Sequence, residues 1–184
     1  MNKSLSEIFN QIGHFGEDIG HNDKGGTHSY VDVYETLLAP FRQRCDIMEI
    51  GLAMGKSMEL WGKYFGADCT ITGMDLSLVF DVAPFDSRFR FIAGDATSAK
   101  VLQDIGDAKF DIIIDDGSHM QADQEAAFRL LSPRVKAGGL YIIEDILSPE
   151  SSVPSLCALH PNCEVIDLRG VKGRFDDMLL VYRF

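Results

Sequence analysis

Two short apolar runs in this chain each end in a pair of acids. Phe110-Asp111-Ile112-Ile113-Ile114 runs into Asp115-Asp116-Gly117-Ser118-His119, and Leu140-Tyr141-Ile142-Ile143 runs into Glu144-Asp145-Ile146. Isoleucine-rich runs of this length read as buried strands of a parallel sheet, where both faces are covered. Open α/β sheets bind ligands in the crevice beyond the carboxyl ends of their strands. Four carboxylates and an imidazole at two such ends are therefore placed where chemistry happens. Crowded carboxylates repel one another, and a hard divalent cation with oxygen ligands is the simplest compensation. An imidazole beside them, with an unperturbed pKa of about 6.5, can accept a proton near neutrality.

An earlier segment, Glu49-Ile50-Gly51-Leu52-Ala53-Met54-Gly55-Lys56-Ser57, has the form of a glycine turn between a strand and a helix. Such a turn lets backbone approach a ligand closely and aims a helix N-terminus at it. Gly55-Lys56-Ser57 ends like a phosphate-binding P-loop, but that motif needs four residues between its glycines, and only three separate Gly51 from Gly55. The competing reading is a nucleoside-cofactor loop. The next strand ends Thr72-Gly73-Met74-Asp75, with an acid roughly twenty residues past the turn, where a ribose hydroxyl pair is read. The third ends Ala93-Gly94-Asp95-Ala96. A P-loop enzyme has no need of acids at three successive strand ends, whereas an adenosine cofactor carrying a sulfonium favours acceptors. Asp75 and Asp95 would also serve as helix N-caps.

The elements that must position these residues follow a strand-helix rhythm. Strands are expected at 45–50, 69–74, 89–93, 110–114, 140–143, 164–168 and 178–184. Helices are expected at 4–12, 30–44, 56–65, 76–82, 98–105, 122–131 and 149–159. Alternation of this kind means an α/β sheet with helices on both faces. The last two strands lack a convincing helix between them and should pair antiparallel at one edge. Gly13 to Ser29 reads as a loop or lid. Residues 1–44 form an N-terminal helix-and-lid portion, and 45–184 the core of what is overall a single domain.

Composition narrows the field. A chain of 184 residues, 46% hydrophobic and 24% charged, fits one globular domain. No apolar stretch approaches a membrane span, and the first residues carry no signal-peptide core. A formal charge of −11 argues against a nucleic-acid partner. A cytoplasmic protein without membrane or nucleic-acid partners is the expectation. Cys45, Cys69, Cys157 and Cys163 are expected as reduced thiols. Cys157, His160 and Cys163 lack the second ligand pair that a zinc site needs.

Taken together, Glu49-x-Gly51-x-x-x-Gly55, Met74-Asp75, Gly94-Asp95 and the strand ending at Asp115 resemble the successive motifs of class I S-adenosylmethionine-dependent methyltransferases. A more specific resemblance is to the macrolide-sugar O-methyltransferases of the macrocin and mycinamicin type and the related cephalosporin hydroxylase-like group. It is carried by Asp23-Lys24, Thr27-His28-Ser29-Tyr30, Tyr34, Asp115-Asp116-Gly117-Ser118-His119, Glu144-Asp145 and Asp176-Asp177-Met178-Leu179.

The resemblance implies a Rossmann-like, mostly parallel seven-stranded sheet with an antiparallel last strand. It implies S-adenosylmethionine held by Glu49, Gly51, Met54, Gly55, Ser57, Asp75, Asp95, Ala96 and Asp115. It also implies a magnesium ion on Asp116, Glu144 and Asp145, with His119 as general base and Lys24, Thr27, His28 and Tyr30 closing over the substrate. The expected reaction is O-methylation of a small-molecule hydroxyl, on a sugar or natural-product glycoside. Alternatives on the same scaffold are a hydroxylase-like protein or an inactive cofactor binder. Ala53 departs from the glycine many methyltransferases carry, and the chain is shorter than the macrolide enzymes. Because short domains often borrow a neighbour to complete a pocket, a homo-oligomer fits these expectations.

Overall fold

A computed structural model describes residues 3–12 and 23–184. Seven strands, β1 (Asp46–Ile50), β2 (Thr70–Asp75), β3 (Phe89–Ala93), β4 (Phe110–Asp115), β5 (Val135–Ile143), β6 (Cys163–Asp167) and β7 (Met178–Arg183), form one sheet in the order β3-β2-β1-β4-β5-β7-β6. β7 runs antiparallel to both its neighbours, and the other pairings are parallel. The expected fold class holds. Strand order reverses beside β1, between β2 and β4, which opens the crevice of a doubly wound sheet at their carboxyl ends. Register then aligns the chemistry: Ile50 pairs with both Met74 and Asp115, and Asp115 with Ile143. The residues that follow these partners are the glycine loop, Asp75, Asp116 and Glu144.

Helices α1 (Leu5–Ile12), α2 (Asp23–Gly26), α3 (Val31–Leu38), α4 (Lys56–Tyr64), α5 (Val101–Ile105), α6 (Gln121–Leu131), α7 (Pro149–Cys157) and α8 (Arg169–Lys172) complete the fold. Neighbouring strand residues point to opposite faces, and the buried core divides accordingly. Ile112, Ile114, Ile142 and Val181 pack with Leu5, Tyr34 and Trp61 from α1, α3 and α4. Ile113, Tyr141, Ile143 and Leu180 pack with Phe128, Leu131 and Leu156 from α6 and α7. Sheet residues apolar on both sides are what made the strands legible as continuous runs.

Three expectations are corrected. Residues 76–82 form a bent, irregular segment, not a helix. The Asp75 and Asp81 carboxylates accept the backbone N–H groups of Ser77 and Ala83, an alternative to helical bonding, while Phe80 joins an aromatic cluster with Phe85 and Phe91. Asp23–Gly26 forms a helical turn inside the expected loop, whereas residues 13–22, which include His14 and His21, lie outside the described residues. Cys157 and Cys163 form a disulfide in place of two thiols. The return from α7 into β6 brings their Cα atoms to 5.3 Å, within disulfide reach. Cys45 and Cys69 are free and buried. Among the described residues no helix is long and apolar enough to cross a membrane.

Candidate active site

The glycine loop after β1 is held from below and from the side. Asp75 accepts hydrogen bonds from the backbone N–H of Leu52 (2.7 Å) and Ala53 (3.2 Å). Its carboxylate thus shapes the loop as well as lining the groove beside it. Gly51 has φ of +83°, and a Cβ there would come within 1.9 Å of the Asp116 carbonyl oxygen. Only glycine lets the loops after β1 and β4 touch. Gly51→Ala should therefore cost roughly 2 kcal/mol or more, from left-handed strain plus overpacking. Urea unfolding checks this: a variant as stable as the wild type would mean that the loops need not touch.

Two cavities, of about 250 and 440 Å³, share Gly51, Asp75 and Gly117. They make one groove across the ends of β1 to β4. The smaller is also lined by Met54, Ser57, Asp116 and His119; the larger by Asp95, Ala96, Asp115 and Gln124. Asp95 is engaged by the N–H and hydroxyl of Thr97, which hold its carboxyl below the usual range. Burial pushes the Asp115 carboxyl up to about 7, against the opposing bonds from Gly117 N–H and the Tyr141 hydroxyl. Two expected contacts stand apart. Gly55 lies under the Phe80 ring, and Glu49, wholly buried, accepts the Trp61 ring N–H at 2.9 Å.

Glu49 instead belongs to a buried cage around Lys24. The ammonium lies 2.6 Å from Glu144 Oε1, 2.8 Å from Asp116 Oδ2 and 3.0 Å from Glu49 Oε1. Burial pulls the Lys24 pKa down, but the carboxylates outweigh it and hold it well above the ordinary value. The Tyr34 hydroxyl donates to the same Glu144 oxygen at 2.5 Å.

Asp145 faces the other way. Its Oδ1 accepts the Tyr30 hydroxyl at 2.6 Å and lies 3.3 Å from His28 Nδ1; its Oδ2 lies 3.9 Å from His119 Nε2. Asp116, His119 and Asp145 form one group of possible ligands, and Glu49, Asp116 and Glu144 another. The expected trio Asp116, Glu144 and Asp145 is thus divided between two adjoining groups that share Asp116. Ala53, His119 and Asp145 are the non-glycine residues with positive φ (44°, 60° and 56°) among the described residues. Left-handed backbone on such residues is strained, and strain gathered at strand ends around a groove is a mark of a functional site.

The C-terminal acids do structural work that the sequence left open. Asp177, wholly buried, accepts the Ser29 N–H at 3.0 Å, and Asp176 is held by Arg174. The Met178 N–H donates to the Tyr30 hydroxyl. Lys172 donates to the carbonyls of Gly25, Gly26 and His28. The start of β7 and α8 therefore clamp residues 25–30 against the site. Thr27 is exposed and takes part only in this turn: its N–H donates to the Asp23 carbonyl. Trp61, Gln124 and Lys172 were not foreseen. Trp61 and Gln124 sit on amphipathic helices where they read as core or surface, and Lys172 acts across 144 or more positions of sequence.

Residues 48–146, more than half of the chain, match the family described as Methyltransferase domain. The chain belongs to this methyltransferase family. The 8-demethyl-8-alpha-L-rhamnosyl tetracenomycin-C 2'-O-methyltransferase of Streptomyces olivaceus is 37% identical over 136 residues, covering 68% of this chain and 35% of that protein. The mycinamicin VI 2''-O-methyltransferase of Micromonospora griseorubida is 35% identical over 133 residues, covering 66% of this chain and 32% of that protein. The chain spans about a third of the length of these curated relatives. In fold, this methyltransferase domain is similar to the MycE methyltransferase from the mycinamycin biosynthetic pathway, solved in complex with Mg and SAH. The TM-score is 0.74 at 24% identity, covering 100% of this chain and 55% of that one.

Proposed function

We propose that the chain catalyses magnesium-dependent transfer of a methyl group from S-adenosylmethionine to a hydroxyl of a small molecule, in the sugar of a natural-product glycoside. The observation that carries this reading is the meeting of His119 and Asp116 with Gly51 and Asp75 on the wall of one groove. The similarity to two glycoside O-methyltransferases supports the acceptor class.

The residues present suit both groups. For the cofactor, Gly51 and Gly117 keep the groove floor free of side chains, while Asp75, Asp95 and Asp115 offer carboxyl oxygens along it. Asp75 suits the ribose hydroxyls, Asp95 and Ala96 the adenine end, and Met54 and Ser57 the loop side. For the cation, Glu49, Asp116 and Glu144 surround the Lys24 ammonium, and Asp145 joins Asp116 in the adjoining group. Burial pushes Glu144 well above the usual carboxyl range and Asp145 up to about 7, a penalty that a second cation would offset. Asp116, Glu144 and Asp145 would hold magnesium. When bound, such an ion lowers the pKa of an alcohol and orients its oxygen.

The chain's own residues do the rest. Methyl transfer from a sulfonium is an in-line displacement, so alignment of donor and acceptor contributes most of the acceleration. His119, at the groove wall, takes the hydroxyl proton, and Asp145 Oδ2 lies 3.9 Å from its Nε2. Lys24, Tyr34 and Tyr30 fix the carboxylates, and residues 27–30, with His28, close one side of the site. The test is transfer of labelled methyl from S-adenosylmethionine to a methyl rhamnoside. Transfer should need magnesium, stop with a chelator, and fall at least tenfold in Glu144→Ala. Wild-type rates in that variant, or full activity in the chelator, would refute the metal's part.

A further inference from the structure

The acids of the site leave one buried nitrogen without a role. His28 is 3% exposed, and its Nδ1 has no hydrogen-bond partner among the described residues. Burying an imidazole nitrogen unsatisfied is costly, so its surroundings should explain it. Nδ1 lies 3.3 Å from Asp145 Oδ1 and 3.6 Å from Asp177 Oδ1. Ligand atoms of Asp23, His28 and Asp145 all lie within 4.8 Å of one another. Asp177 Oδ2, also buried, has no hydrogen-bond partner among the described residues. Of the nearby positive charges, Arg174 is taken up by both oxygens of Asp176 and Lys172 by backbone carbonyls.

The ring is held in place from three sides. It stacks on Tyr30 with centroids 4.9 Å apart, its carbonyl oxygen accepts from Lys172, and the next backbone N–H is fixed by Asp177. A rigid, buried, unsatisfied nitrogen among carboxylates suits a divalent cation better than a proton.

We propose that Asp23, His28 and Asp145 form a second divalent-cation site, one that takes an ion of the manganese, cobalt or zinc type. Mixed imidazole and carboxylate ligands favour such ions, whereas all-oxygen ligands suit magnesium. Asp145 is shared with the magnesium site proposed above, as expected of paired sites about 4 Å apart. The ion would tie the turn carrying Asp23 and His28 to the end of β5. The inference does not depend on methyl transfer.

Manganese alone is the probe, read by pulsed electron paramagnetic resonance for directly bound imidazole nitrogen. The wild type at saturating manganese should show nitrogen coupling that persists in His119→Gln and in Glu144→Gln and is lost in His28→Gln. Asp23→Asn should weaken manganese binding at the nitrogen-coupled site at least tenfold, and this decides the matter if His28→Gln does not fold. Absence of nitrogen coupling in the wild type would overturn the site, as would coupling lost in His119→Gln or unchanged affinity in Asp23→Asn. Because Glu144 belongs only to the magnesium site, coupling retained in Glu144→Gln separates this outcome from failure of the magnesium reading.

Discussion

Replacing His119 with alanine should lower the rate of methyl transfer by two to four orders of magnitude, the usual contribution of a positioned general base. Binding of S-adenosylhomocysteine should stay within a few-fold of wild type, because the groove offers many other contacts. His119 has φ of 60°, a left-handed conformation that histidine adopts more readily than alanine, so alanine also adds some strain. Asparagine tolerates that conformation and cannot serve as the base. His119→Asn should therefore be as slow as His119→Ala while unfolding closer to the wild type. Single-turnover rates together with urea unfolding separate the two effects. A loss of less than about tenfold in the asparagine variant would remove His119 from proton transfer.

The second large effect is expected at Lys24. Its ammonium is 1% exposed and touches Glu49, Asp116 and Glu144. Lys24→Met leaves these buried carboxylates without that counter-charge, and breaking a buried ionic group from one side costs about 3–5 kcal/mol. Adding Glu144→Gln to Lys24→Met should restore part of the loss, since one of the stranded charges is then gone. Denaturant midpoints of the wild type, both single variants and the double variant supply the cycle. If Lys24→Met costs less than about 1 kcal/mol, the cage does not depend on its lysine.

The fold was legible because its signals are local. Isoleucine-rich runs at β4 and β5 announced strands covered on both sides, and the glycine turn at Gly51 announced the first crossover. The helix expected at 76–82 failed for a reason that local apolar spacing could not reveal. Leu76 and Val79 are exposed, while backbone N–H bonds to the Asp75 and Asp81 carboxylates and the packing of half-buried Phe80 against Phe85 and Phe91 decide the path. The site divided in the same way. His119, Asp116 and the strand-end acids were placed by their position after strands. Glu49 read as a cofactor contact because it precedes the glycine loop, but strand alternation turns it toward Trp61 and Lys24. Nor could spacing alone show that Asp177 and Lys172 hold the turn around His28, since those contacts join the two ends of the chain.

Isothermal titration with S-adenosylhomocysteine, set beside the same titration with ATP, tests the central claim most directly. The groove built on Gly51, Asp75 and Asp115 should bind S-adenosylhomocysteine and not ATP, because the glycine spacing does not make a phosphate cradle and acids line the strand ends. Asp75→Ala should weaken that binding. Heat with ATP and none with S-adenosylhomocysteine would contradict the methyltransferase account.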